Sequence, residues 1–379
     1  MKELHLAILA KKVSLTGGME RYVAEVARRM LERGHRVDLY AREYDPELLP
    51  GASFVPIGQQ LNSSSVLSAL SFARQSASLL QGKCYDVVHS HERGFCQDIL
   101  TLHCFSHRSG MARYPSWRID QKYLSPRNQA YLWLERRQMK TTDLVAVSEI
   151  IAKDLFSHYH RSFGVSVIEP GVDTEWFHPA KVAELRGVVR KQENIAPNDF
   201  VVLFVGSEFR RKGLDLLIPA IGRGMRLLVV GAGERHAYFR SLAVQCGLAE
   251  QVHFLGLRDD VRRFYAAADV VVLPSRSEAF GMSILEGMAC GLPVVAAAQT
   301  GVAELIVHGV NGLIASSPDQ LHSVLQQLTN DALRRDLGIR ARDTAEAYSW
   351  NRVADRYEEL YRRVAVRKLQ GDSSFGVCR

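Results

Sequence analysis

The sequence predicts an α/β protein of two successive doubly wound domains, each a parallel sheet covered by helices on both faces. Short, almost uninterrupted apolar runs recur from one end to the other, as strands buried on both faces require. Longer stretches of helical period lie between them and supply the crossovers. The length, 379 residues, is too great for one ordinary core and suits two.

Taken in order, the strand runs of the first half are LHLAIL, HRVDLYA, YDVVHSH, ILTLH, DLVAVS and VSVIEPG. The stretch GMERYVAEVARRMLERG, residues 18–34, reads as the first crossover helix, with Gly34 placed to end it. The pattern breaks at PGVDTEWFHPA, residues 170–180. A polar helical segment then leads into FVVLFVG, RLLVVG, VHFLG, DVVVLPS, LPVVAA and GLIAS. The last amphipathic pattern, SWNRVADRYEELYRRVAVRKL, has no strand after it. The expected division is a domain over 1–170, a second over 171–350, a helix over 351–370 packing back on the first domain, and a frayed tail over 371–379. Open α/β sheets bind ligands at the carboxyl ends of their strands, so function is expected in a cleft between the two domains.

At 47% hydrophobic and 23% charged, the composition is that of a soluble globular protein. A net charge of +7 permits anionic partners without selecting among them. The opening MKELHLAILAKK is too short in apolar residues for a signal peptide, and no later run approaches the ~18 residues of a membrane span. A cytoplasmic location is expected. Cys84, Cys96, Cys104, Cys246, Cys290 and Cys378 form no C-x-x-C pair, so they read as buried thiols and one tail thiol, without structural zinc.

Four turns carry chemistry. In SLTGGMERY, Gly17 and Gly18 sit where a strand gives way to a helix, and bare backbone amides there can approach a phosphate. In FVGSEFRRKG, Arg210, Arg211 and Lys212 precede a helix start, where the helix dipole disfavours cations unless an anion lies between. The turn VVGAGERH offers Gly231 and Gly233 but lacks the third glycine of a dinucleotide fingerprint, and no acid ends the next strand. It reads as a helix cap or turn. In SEAFGMSILEGMACGLPVV, Glu278 lies in a loop and Glu286 on a helix beginning near Gly281. Ile284, Leu285, Met288 and Ala289 look buried around Glu286, and a carboxylate there wants a partner.

The pattern E-x-F-G-x-x-x-x-E followed by G-x-P-V-V, residues 278–295, resembles the signature of the retaining GT-B glycosyltransferases of family 4. The resemblance covers nearly the whole chain. Gly17 and Gly18 match that family's glycine turn, Arg211 and Lys212 its basic pair, and residues 170–173 its interdomain motif. Residues 300–315, TGVAELIVHGVNGLIA, match a further run. The wording FVGSEFRRKG is also similar to bacterial lipopolysaccharide-core heptose α-1,3-glucosyltransferases.

The resemblance implies an N-terminal acceptor-binding domain and a C-terminal donor-binding domain. Glu278, helped by the backbone around Phe280, Gly281, Met282 and Ser283, would hold the donor sugar, and Glu286 the ribose. Arg211 and Lys212 would neutralise the departing diphosphate, with Gly17 and Gly18 on its other side. His103, at the end of TLH, matches a histidine near the reacting carbon and takes a positioning role. Asp98, His89 and His91 compete with it for the polar position. The implied reaction moves a hexose, glucose from UDP-glucose first, to a saccharide hydroxyl with retention. No cofactor or metal is expected, and no D-x-D motif occurs.

Residues 108–140 carry eight Lys or Arg against two acids, with Tyr114, Trp117, Tyr123, Tyr131 and Trp133 interleaved. They read as a patch for an anionic membrane surface, for nucleic acid, or as a loop and amphipathic helix that cover the domain. Because the implied acceptor is lipid-borne, the anionic inner face of the cytoplasmic membrane is the expected partner and nucleic acid is not. Two other functions fit the outline: a nucleotide-sugar epimerase of the same fold, and a non-catalytic nucleotide-sugar binder.

Overall fold

The structure is a computed structural model describing residues 2–15, 17–58, 65–112, 122–141 and 143–370. The chain divides into two compact units, Met1–Pro170 with Trp350–Arg379, and Gly171–Ser349. The expected tail over 371–379 lies outside the described residues.

The N-terminal unit is built on β1 (His5–Leu9), β2 (Arg36–Ala41), β3 (Ser53–Pro56), β4 (Val87–Ser90), β5 (Ile99–Leu102), β6 (Asp143–Ala146) and β7 (Val165–Val167). They pair all in parallel in the order β3-β2-β1-β4-β5-β6-β7. The order reverses between β1 and β4, the switch point at which such sheets open to ligands. Helix α1 (Gly18–Glu32) buries Val23, Val26, Ala27 and Met30, a stripe at helical spacing. The polypeptide returns to this unit as the twenty-residue helix α2 (Trp350–Leu369). Arg33, the residue that follows α1, reaches Asp355 at 2.7 Å and Glu358 at 2.8 Å. Burial would raise the Glu358 carboxyl, but hydrogen bonds from Arg362 and Arg33 hold it at about 2.

The C-terminal unit contains β8 (Phe200–Val205), β9 (Met225–Val230), β10 (Val252–Gly256), β11 (Val270–Leu273), β12 (Val294–Ala296) and β13 (Leu313–Ile314). Their order is β10-β9-β8-β11-β12-β13, again parallel throughout, with its switch point between β8 and β11. Each residue of β8 from Phe200 to Phe204 is buried, which is why the run FVVLF carries no polar alternation.

Two features escaped the apolar-run reading. Edge strand β3 is largely exposed and carries no such run. A short parallel pair, Lys12–Val13 with Glu43–Tyr44, forms a separate sheet. Of the free cysteines among the described residues only Cys290 is buried, whereas Cys84, Cys104 and Cys246 are exposed, so the expectation of buried thiols fails for those three. Among the described residues no helix is long and apolar enough to cross a membrane.

Candidate functional site

The loops leaving β8 and β11, the two strands at the switch point of the C-terminal unit, bring Arg211, Lys212 and Glu278 together. Glu278 Oε2 accepts from Arg211 at 3.2 Å and from Lys212 Nζ at 3.0 Å. Arg211 also donates to the carbonyl of Ser277 at 2.6 Å. Burial opposes the charge on Arg211, yet Glu278 and Glu208 raise it above the ordinary guanidinium value. The cations therefore find their counter-charge within the unit. Glu208, which sequence reasoning passed over, takes Arg211 at 2.7 Å from a left-handed backbone position, φ 56°.

Glycines let this turn close. A Cβ on Gly206 would stand 2.5 Å from the Lys212 side chain, so the lysine stem lies across bare backbone. A Cβ on Gly231 would meet the Gly206 carbonyl at 2.3 Å, and one on Gly233 the Phe209 ring at 2.2 Å. Gly231 and Gly233 thus serve close packing around the basic turn, in keeping with a turn rather than a dinucleotide cradle.

Helix α3 (Met282–Ala289) begins at Gly281, whose φ of 113° a side chain would resist, and no side chain caps it. The buried Ser283 hydroxyl at its start has no hydrogen-bond partner. An uncapped helix start with an orphan hydroxyl and two nearby cations is suited to anionic oxygen. Phe280 is buried and its carbonyl accepts from Val302 at 2.7 Å, which fixes the loop. Glu286 is 5% exposed, and Tyr265 donates to its Oε2 at 2.7 Å. Tyr265 is a partner such as a buried carboxylate requires, and no local pattern announces it.

In the N-terminal unit, Gly17 (φ 92°) starts α1 without a side-chain cap, and Gly18 is exposed beside it. Chain direction carries His91 out of the carboxyl end of β4 and His103 out of that of β5. Their rings stack at 5.2 Å, with His91 Nδ1 2.9 Å from His103 Nε2. Behind them His89 bonds Tyr361 and Thr101, each at 2.7 Å. Thr101 meets Tyr357 at 2.9 Å, and Tyr357 meets Tyr22 at 2.8 Å. Burial pushes His89 and His103 down to about 3, and His91 well below its ordinary value, so all three are neutral at pH 7. Asp98 lies at the other end of β5 and accepts from Val88 N and Lys368, each at 2.8 Å. It ties strand to helix and stands apart from the histidines.

The basic segment is described outside 113–121, so Tyr114 and Trp117 fall beyond it. Tyr131 is buried, whereas Trp133 is half exposed. Arg137 lies over the Phe95 ring at 4.8 Å and the Trp133 ring at 5.8 Å. They border a surface groove of about 470 Å³ that Arg136 and Lys140 also line.

Two doubly wound units with this set of turns define a glycosyltransferase of GT-B fold, hence an enzyme. The chain belongs to the glycosyl transferases group 1, whose family model matches residues 186–344, with the Glycosyltransferase Family 4 model matching residues 16–176. A D-inositol 3-phosphate glycosyltransferase of Geodermatophilus obscurus is 30% identical over 92% of this chain and 85% of its own. The lipopolysaccharide glucosyltransferase WaaG of Escherichia coli is 26% identical over 88% of this chain and 92% of its own. A crystal structure of WaaG, a glycosyltransferase involved in lipopolysaccharide biosynthesis, superposes with a TM-score of 0.82 at 23% identity, covering 94% and 99% of the two chains. Anabaena HepE in complex with UDP-glucose gives 0.74 at 19% identity, covering 95% and 100%.

Proposed function

We propose that the protein transfers a hexose from a nucleotide sugar, UDP-glucose first, to a saccharide hydroxyl on a lipopolysaccharide core or other cell-envelope glycan, with retention and without a metal. The observation that carries the reading is the cluster of Glu278, Arg211 and Lys212 beside the uncapped start of α3. On donor binding the two cations turn to the diphosphate and meet its growing charge as the sugar departs. Glu278, released, accepts hydrogen bonds from the sugar hydroxyls, and Glu286, held by Tyr265, accepts from the ribose. The departing phosphate takes the acceptor's proton, so His103 positions and does not act as a base. WaaG is named a glucosyltransferase and HepE was crystallised with UDP-glucose, which supports that donor.

A second acceptor class, a phosphorylated polyol, is favoured by the name of the Geodermatophilus relative, a D-inositol 3-phosphate glycosyltransferase. For a membrane-borne glycan acceptor, residues 108–140 would rest on anionic lipid at the inner face of the cytoplasmic membrane.

Thermal unfolding with UDP, GDP, ADP and NAD in parallel, without added metal, tests the donor. A ligand at a hundred times its Kd stabilises by ~2.7 kcal/mol, a visible rise in midpoint. A response to UDP alone supports the reading, and a response to NAD alone removes it. Product NMR showing a β linkage from an α donor would contradict retention.

A further inference from the structure

We infer that His91 is a positioning residue that fixes His103 in its Nδ1–H tautomer, so that His103 offers a bound sugar a hydrogen-bond donor. The inference rests on the reading of His103 as the residue near the reacting sugar.

Only one proton can lie between His91 Nδ1 and His103 Nε2, 2.9 Å apart. His91 is 4% exposed, and its Nε2 is buried without a partner. If His103 donated, the neutral His91 ring would carry its own proton on Nε2, leaving a buried N–H with nothing to accept it. Orphaned buried N–H groups are rarer than orphaned acceptors. The proton of His91 therefore sits on Nδ1 and points at His103 Nε2. His103 is neutral too, so its single proton sits on Nδ1. That nitrogen has no partner among the described residues and is not one of the buried unpaired atoms, so it is open to solvent or to a bound ligand.

The surroundings hold both rings in place. Tyr22 stands edge-on to His103 at 4.9 Å, and the His89 ring lies 4.1 Å from that of His91. His89 is itself oriented. Tyr22 donates to the carbonyl of Ile168 at 3.2 Å, so it accepts from Tyr357, which accepts from Thr101, which accepts from His89 Nε2. His89 Nδ1 then accepts from Tyr361. A donor on His103 suits a sugar hydroxyl oxygen or a phosphate oxygen and could not serve as a proton acceptor.

Long-range ¹H–¹⁵N correlation of the imidazole nitrogens in the full-length protein reads the tautomers directly. The expected result is a proton on Nδ1 of His91 and His103 and on Nε2 of His89. A His103 protonated on Nε2 overturns the inference. Substituting His91→Ala should release His103 to the Nε2–H form that free imidazoles favour, lowering kcat ten- to a hundredfold with little change in donor KM. His91→Asn places an amide nitrogen near the Nδ1 position and should restore the tautomer and most of kcat. A His91→Ala enzyme that keeps the Nδ1–H form and full kcat also overturns it. If His103→Ala transfers sugar normally while the wild-type tautomers are as assigned, the role given to His103 falls and the positioning by His91 stands.

Discussion

Lowering the pH from 7.5 to 5 should loosen the N-terminal unit through its buried histidines, and His89 sets the scale. In the folded unit burial first, and the neighbouring His103 second, push His89 down to about 3, against an unfolded value near 6.5. The unfolded chain therefore binds a proton that the folded chain refuses. The stability due to the neutral ring is fully present above about pH 6.5 and is lost as the pH falls toward 3. Each pH unit in that window removes ~1.4 kcal/mol per such group, so at pH 5 His89 alone has cost about 2 kcal/mol. His91 and His103 act in the same direction. Domains hold only ~5–15 kcal/mol in all, so the effect is large. Paired carboxylates do not confuse the window. Glu358, held at about 2, contributes stability that is lost only below its unfolded value of ~4.3. The assay is urea unfolding followed by the fluorescence of Trp350, which is buried edge-on to Tyr22 at 5.4 Å. Substituting His89→Gln keeps a donor and an acceptor but does not titrate, and should flatten the profile between pH 6.5 and 5 by about 2 kcal/mol. An unchanged slope in that variant, or a flat wild-type profile, would refute the reasoning.

Five other variants should separate the parts. Glu278→Ala should abolish sugar transfer while the affinity for UDP, read by calorimetry, stays within about threefold. Glu286→Ala should weaken UDP itself, and Tyr265→Phe should do so by roughly three- to tenfold, about the net worth of one ordinary hydrogen bond; UDP affinity equal to wild type in both variants would remove the ribose assignment. Gly233→Ala forces a methyl to within 2.2 Å of the Phe209 ring and should lower stability by ~1–3 kcal/mol, seen as a fall in Tm. Exchanging Arg136, Arg137 and Lys140 for Gln should reduce sedimentation with anionic vesicles at low salt, and wild-type protein left in the supernatant would end the membrane proposal.

Much of the fold is legible because its strands are buried on both faces. FVVLFV needs only its apolar continuity to be read, whereas Ser53–Pro56 is an exposed edge whose identity comes from pairing with β2. The glutamates were visible as carboxylates among apolar neighbours. Their partners were not, since Tyr265 sits in the short helix Arg262–Ala267, 21 residues before Glu286, with nothing local to mark its hydroxyl. Glu208 carries no local mark that separates it from any other loop charge, and only the closed turn shows it against Arg211. The two-residue spacing of His89, in β4, and His91, just past its end, is an extended-chain pattern open to reading. The bond to His103 depends on β4 lying beside β5, which no local pattern states. The sequence also left Asp98 and His103 as rivals, and chain direction alone separates them, because they occupy opposite ends of one strand.

The N-terminal unit is written in two places in the chain, with the whole of Gly171–Ser349 between them. During synthesis its first strands emerge long before Tyr357 and Tyr361 exist to bond Thr101 and His89. The Gly171–Ser349 unit, contiguous in sequence, can complete its own sheet while the earlier unit still waits for its last helix. A nascent chain halted before residue 350 would therefore carry a finished second unit behind an unfinished first, with His89 lacking the Tyr357 and Tyr361 side chains that cover it. The helix that closes the fold is also the step that buries the His89 ring and keeps it neutral.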